Sequence, residues 1–321
     1  MKRKFFAAGW AAVLAVMFSV TAFAQRMLIP VGEVVGLSLA EGSVTVAAFD
    51  DTLGAGAREA GLQIGDEIVS VDGKTIDSAS DLHRALESSD GTVELTLSRK
   101  GTEHSVRLSP AVTADGPKLG IYIREGVTGI GTVTYYDPEN QCFGALGHGV
   151  SDSRGKLCQM RYGNVYEASV AGVKMGKPGQ PGQLKGAVSG ESPMGSLYAN
   201  TTFGVFGQGK SWTGEALPVA SAEEVKAGAA QILSNISGDE VEVFSVEILK
   251  VYGEETTNGR DLLIQVTDQT LLETTGGIVA GMSGSPLVQD GKLIGAVTHV
   301  LVQDPTTGYG ILAEHMLDAA E

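Results

Sequence analysis

The chain has 321 residues, with 38 acidic against 23 basic side chains, a formal net charge of -15 at pH 7, and two cysteines. This acidity, with no basic cluster to offset it, argues against DNA, RNA and anionic lipid surfaces as partners. The plainer account of the charge is solubility of an exported protein.

Residues 1–24 read as a secretory signal. Lys2, Arg3 and Lys4 form a charged start, residues 5–20 are mostly apolar, and Ala22-Phe23-Ala24 before Gln25 fits a small-residue cleavage site. The apolar run is short for a membrane span, so cleavage is expected, an uncleaved anchor being the alternative. Losing residues 1–24 removes three cations and no anions, which moves the net charge from -15 to -18. The remaining length fits two domains of about 150 residues each. With 44 glycines and short Val/Ile/Leu runs between turn residues, a largely β protein with limited helix is expected.

Residues 30–110 read as one small unit. Residues 44–49 form an apolar strand, and a short helix ends at Gly61. Ile68, Val69 and Val71 then run into an Asp72-Gly73 turn. Ser78 caps a helix with Leu82 and Leu86 at i, i+4 spacing, and residues 93–97 alternate as a strand. This order, and above all "AGLQIGDEIVSVDG", resembles a PDZ domain. The resemblance implies capture of an extended peptide beside a sheet edge, with a carboxylate loop of Gly-Leu-Gly-Phe type. The nearest match to that loop is Val35-Gly36-Leu37-Ser38-Leu39, which departs from the pattern. A scaffold or intramolecular docking role is the alternative to peptide binding.

From residue 111 to 321 the pattern changes to glycine-punctuated strands. A strand, an Asp137-Pro138 turn and a second strand lead to "GALGHG", which sets His148 between two glycines after an apolar stretch. Cys142 and Cys158 bracket that histidine. Export allows a disulfide between them, which would contribute roughly 3 kcal/mol; two buried thiols are the alternative. No further ligand pair sits at zinc-site spacing, so no metal is expected. Pro178 and Pro181 mark a loop, and Ser221-Ala222-Glu223-Glu224 opens a short helix through a capping box. The scattered glycines form no P-loop or dinucleotide signature, so no nucleotide or other cofactor is expected.

Residues 262–266 form an apolar strand ending at Thr267-Asp268, and fifteen residues past Asp268 stands Ser283 in Gly281-Met282-Ser283-Gly284-Ser285-Pro286. Serine between glycines is how double-barrel serine proteases present a nucleophile. The glycines let the chain turn so that the N–H groups of Gly281 and Ser283 can meet a developing oxyanion. A serine hydroxyl needs a base, and His148 is the histidine in a suitable setting. A hairpin follows through Asp290-Gly291. His299 falls on its second strand, where such proteases line the pocket for the residue before the scissile bond; a structural histidine is the competing reading.

The segments "GIGTVTYYDPENQCFGALGHGVSD" and "LLIQVTDQTLLETTGGIVAGMSGSPLVQDGKLIGAVTHVLVQDPTTGYGI", after a PDZ-like unit, are similar to the stage IV sporulation protein B family of serine peptidases (peptidase family S55). That resemblance implies an N-terminal PDZ domain followed by a chymotrypsin-like double β-barrel. It implies His148 as base, Asp268 in "VTD" as third triad member and Ser283 as nucleophile. It also implies a serine endopeptidase in the space between the two forespore membranes, cutting a membrane-tethered regulator to trigger sigma-factor processing. Arg124-Glu125-Gly126-Val127 departs slightly from the family, which more often has Asp and Ser there. Asp268 lies closer to the serine than a chymotrypsin-like aspartate does, and Asp152 and Asp261 are the competing carboxylates. The other functional readings are a non-catalytic PDZ scaffold and an exported quality-control protease.

Overall fold

The computed structural model describes residues 25–152, 155–190, 192–252 and 259–321. The signal-like segment lies outside the described residues. Among them, no helix is long and apolar enough to cross a membrane.

Two antiparallel six-stranded barrels form the body of the protein. Around the first run residues 34–40 of the strand Val34–Phe49, residues 126–137 of the strand Ile121–Asp137, and the strands Cys142–Ala145, Gly204–Gly209, Gly195–Thr201 and Tyr162–Lys174, which closes back onto residues 35–40. Period-two alternation puts Val35, Leu37 and Leu39 in one core with Val133, Phe143, Val165 and Val205. The second barrel is closed by Gly228–Ser237, Glu240–Val251, Leu262–Val266, Asp304–Leu312, Lys292–Leu301 and Pro286–Gln289. Its core takes Phe244, Val246, Ile248, Leu262, Ile264 and Val266 by the same alternation. The C-terminal helix Ala313–Asp318 ties the barrels together: Met316 and Leu317 pack with Tyr135 and Phe206 of the first and Leu293 and Ile311 of the second.

The PDZ unit is inserted within the first barrel rather than placed before it. The strand Val34–Phe49 leaves that barrel at Ala40 and continues as residues 44–49 into the PDZ sheet. The strand Ile121–Asp137 makes the return journey, pairing residues 121–124 there before residues 126–132 enter the barrel. The expected boundaries at 30–110 and 111–321 are therefore displaced. Residues 34–40 belong to the barrel, while Leu119, Ile121 and Ile123 pack with the PDZ core. The buried positions run 35, 37 and 39 in the barrel and 44 and 46 in the PDZ core, so the phase of the alternation changes across Glu41-Gly42-Ser43, where the pairing register also shifts.

Inside the PDZ unit the local signals act as the residues dictate. Asp72 and Gly73 both have positive φ (48° and 75°), the two-residue turn that matches strand twist. Ser78 accepts the Asp81 N–H at the start of the helix Ala79–Glu87. Asp66 is fully buried and held by Arg99 at 2.7 Å and by the Gln63 N–H at 2.8 Å. Burial alone would raise its pKa; the Arg99 hydrogen bonds and charge together with the Gln63 N–H outweigh that and leave it below the ordinary carboxylate range.

Cys142 and Cys158 are free thiols, which corrects the disulfide expectation. Cys142 sits in strand register with Asp137 and Gln208. Cys158 is buried in the first-barrel core, where desolvation and then the neighbouring Glu41 push its pKa up to about 12.

The Asp66–Arg99 pair gives a stability prediction. Asp66 has a depressed folded-state pKa, so its contribution is present above the unfolded value of about 3.9 and is lost as pH falls through the folded value. Arg99→Ala should destabilise the fold at neutral pH by leaving the buried Asp66 carboxylate without its cation. It should also flatten the acid limb below about pH 4, read by thermal melts across pH. An unchanged melt and an unchanged acid limb would contradict this.

Candidate active site

The serine loop follows from two backbone constraints. Gly281 and Gly284 have φ of +102° and +97°, which side-chain-bearing residues rarely adopt. A Cβ at 284 would overlap the Thr132 carbonyl oxygen, so the loop lies backbone against backbone on the first barrel. Met282 is buried and donates its N–H to Val279 O at 3.1 Å. Ser283 is thereby left at the cleft between the barrels, where its Oγ donates to Thr298 O at 2.7 Å. Among the described residues, neither the Gly281 nor the Ser283 N–H donates to a backbone carbonyl.

His148 arrives from the other barrel. After the strand Cys142–Ala145, Leu146 and Gly147 both take φ of +69°, which turns the chain toward the second barrel. The Asn200 side chain pins the loop beyond, accepting from Val150 N–H and donating to the carbonyls of Val150 and Cys158, each at 2.9 Å. His148 Nδ1 meets Gly149 O at 3.0 Å, a contact that assigns the proton to Nδ1 and leaves Nε2 as the lone-pair nitrogen. Burial lowers the His148 pKa, partly opposed by the Gly149 hydrogen bond. The imidazole is therefore neutral at pH 7 and able to accept a proton. His148 and Ser283 line the same groove of 420 Å³, whose apolar wall includes Leu37, Leu39, Val127 and Ile130.

Asp268 is not at this groove. It N-caps the helix Gln269–Thr275, accepting Leu271 N–H at 3.1 Å and Ser245 N–H at 3.3 Å, so the expected triad contact with His148 is not formed. The physical reason is local: the four leading N–H groups of a helix need acceptors, and an aspartate at the N-cap supplies one. The other two carboxylates are also engaged, Asp152 with Lys156 N–H at 3.0 Å and buried Asp261 with Leu312 N–H at 2.9 Å and His315 Nδ1 at 2.7 Å. His299 lies beside the base rather than in the groove wall, its ring 5.2 Å from that of His148. Desolvation first, then repulsion by Arg260 and by His148 wherever the latter is protonated, lower its pKa to about 4, so it too is neutral at pH 7.

Val35-Gly36-Leu37-Ser38-Leu39 is a correction. These residues pair with residues 127–131 on one edge and 163–167 on the other, so no carboxylate loop exists there. The peptide-sized groove of the PDZ unit, 430 Å³, lies instead between the helix Ala79–Glu87 and residues 119–123. There Ile121, Tyr122 and Ile123 pair on a single edge with residues 46–49. The signal available in the sequence was Leu119-Gly120-Ile121-Tyr122-Ile123, a glycine turn running into alternating apolar residues.

The SpoIVB peptidase S55 family profile matches residues 116–317, more than half of the chain, and a PDZ domain profile matches residues 54–99. Comparison with curated proteins gave no match. Among solved structures, the PDZ domain of the SdrC-like protein from Listeria monocytogenes is 23% identical, with 25% of this chain and 85% of that one covered and a TM-score of 0.22. The active form of the Rv3671c protease from M. tuberculosis is 17% identical over 60% of this chain and 72% of that one, with a TM-score of 0.34. The HtrA-type protease AlgW with decapeptide is 13% identical over 65% and 57%, with a TM-score of 0.37. With that family profile covering more than half of the chain, including His148, Ser283 and the whole second barrel, the chain belongs to the SpoIVB peptidase S55 family and is a serine endopeptidase carrying a PDZ domain.

Proposed function

We propose that His148 and Ser283 are the base and nucleophile of this peptidase. The reading rests on one observation: the two side chains come from different barrels yet line one groove, beside two N–H groups that donate to no backbone carbonyl among the described residues. Ser283 Oγ rotates from Thr298 O toward the imidazole and attacks the peptide carbonyl carbon as His148 Nε2 takes its proton. The N–H groups of Gly281 and Ser283 receive the oxyanion. His148 then returns the proton to the departing amine, and water repeats the sequence on the acyl-enzyme. The Gly149 carbonyl holds the Nδ1–H tautomer, the task a triad carboxylate performs elsewhere.

The substrate is an extended segment of an exported or membrane-tethered protein, with the groove at residues 119–123 engaging a peptide in the PDZ manner. Residues 1–24 support export, and family membership supports a signalling role. The proposed setting is the space between the two forespore membranes, where cleavage of a membrane-associated regulator triggers sigma-factor processing during endospore formation.

Ser283→Ala should lower cleavage of fluorescent casein by several orders of magnitude with the melting temperature unchanged. Ser285→Ala removes only a buried bond to Ser234 (3.0 Å) and should retain activity at a cost of about 1 kcal/mol in stability. A well-folded, active Ser283→Ala protein would sink the assignment. Asp268→Asn keeps a good N-cap residue and should stay within about tenfold of wild type. A loss near 10⁴-fold would instead restore Asp268 as the partner of His148.

The lowered His148 pKa sets the pH profile. Burial disfavours the imidazolium, so the neutral base persists below the ordinary value of 6.5. The acid limb of kcat/KM should therefore fall below pH 6.5. A limb above that value would contradict a desolvated base.

A further inference from the structure

We propose that Thr132 is a positioning residue for the oxyanion site, holding the serine loop from across the barrel interface. The inference rests on Gly281 and Ser283 serving as read above.

Thr132 lies on the strand Ile121–Asp137 of the first barrel and is fully buried. Its Oγ1 donates to Gly281 O at 2.7 Å and its N–H donates to Ser283 O at 3.1 Å. Its carbonyl accepts Leu146 N–H at 3.1 Å, two residues before His148. One residue thus fixes the carbonyls on both sides of Met282 and also touches the segment that delivers the base. The hydroxyl matters because of where its acceptor sits. Gly281, with φ of +102° and no side chain, has little intrinsic resistance to rotation of the peptide that follows it. Such a rotation carries the 281 carbonyl oxygen with it and swings the Ser283 N–H out of convergence with the Gly281 N–H. A buried hydroxyl bonded to that oxygen opposes the rotation, since breaking the bond strands two polar groups away from water. Thr134, two residues on, is also buried, yet its Oγ1 has no partner among the described residues. Side-chain bonding is therefore specific to position 132 and not a general feature of threonines on this strand.

The test uses the full chain and a fluorophosphonate probe, whose phosphoryl oxygen needs the same donors as a peptide oxyanion. Thr132→Val preserves shape and removes the hydroxyl, Thr132→Ser keeps it, and Thr134→Val is the control. For Thr132→Val the maximal labelling rate should fall about tenfold or more while the half-saturating probe concentration stays within about threefold. Thr132→Ser should restore the rate, and Thr134→Val should leave it unchanged. If Thr132→Val does not fold, Thr132→Ala carries the same comparison. Wild-type rates in Thr132→Val or Thr132→Ala overturn the proposal, as does a Thr132→Ser protein as slow as Thr132→Val. Ser283→Ala run in parallel separates the two levels: if it still labels, the nucleophile assignment fails. If it is silent while Thr132→Val is fast, only the Thr132 inference fails.

Discussion

Backbone contact between the two barrels is the constraint on which the rest of the site depends. The serine loop can approach the first barrel only because position 284 carries no side chain where the Thr132 carbonyl lies. That approach lets Thr132 hydrogen-bond on either side of the nucleophile and lets Leu146 close the same contact. The groove shared by His148 and Ser283 is the cleft left beside this seam. The C-terminal helix keeps the seam shut at a distance by burying Met316 and Leu317 against both barrels. Burial of one such side chain is worth about 1.5–3 kcal/mol, so the helix is a substantial share of what aligns the barrels.

The base works in a largely uncharged setting. His148 and His299 are both desolvated and neutral, and His148 Nδ1–H donates to a peptide carbonyl. A carbonyl fixes the tautomer as a carboxylate does, but it stabilises an imidazolium less because it carries only a dipole. The same strand that lines the PDZ groove at Ile121 and Ile123 reaches the serine loop at Thr132, so that groove and the serine loop contact one continuous element.

The sequence made some of this legible and hid the rest for identifiable reasons. The Asp72-Gly73 turn, the Ser78 cap, the Ser221–Glu224 capping box and the strand Leu262–Val266 are local signals, and each is realised. The serine loop was legible because glycine, serine and proline there encode backbone geometry directly. Asp268 was assigned to the triad because family resemblance outweighed both its unusual spacing to Ser283 and a plain N-cap signal ahead of a helix. The insertion of the PDZ unit is marked within Val34–Phe49 only by a change of phase, from 35, 37 and 39 to 44 and 46 across Glu41-Gly42-Ser43. The peptide groove was sought at Val35–Leu39 because the ordinary chain order of the unit was assumed, whereas here the glycine turn at Gly120 comes near its end. The thiols at 142 and 158 stayed apart because compartment alone does not supply the geometry a disulfide requires.

The central claim is that Ser283, His148 and the two N–H groups form one reactive centre. A crystal structure of the chain after reaction with diisopropyl fluorophosphate tests it most directly. The account predicts phosphorus bonded to Ser283 Oγ, the phosphoryl oxygen about 2.7–3.1 Å from the N–H groups of Gly281 and Ser283, and His148 Nε2 facing the ester oxygen. An adduct on another residue, or one on Ser283 whose phosphoryl oxygen points to solvent, would contradict it.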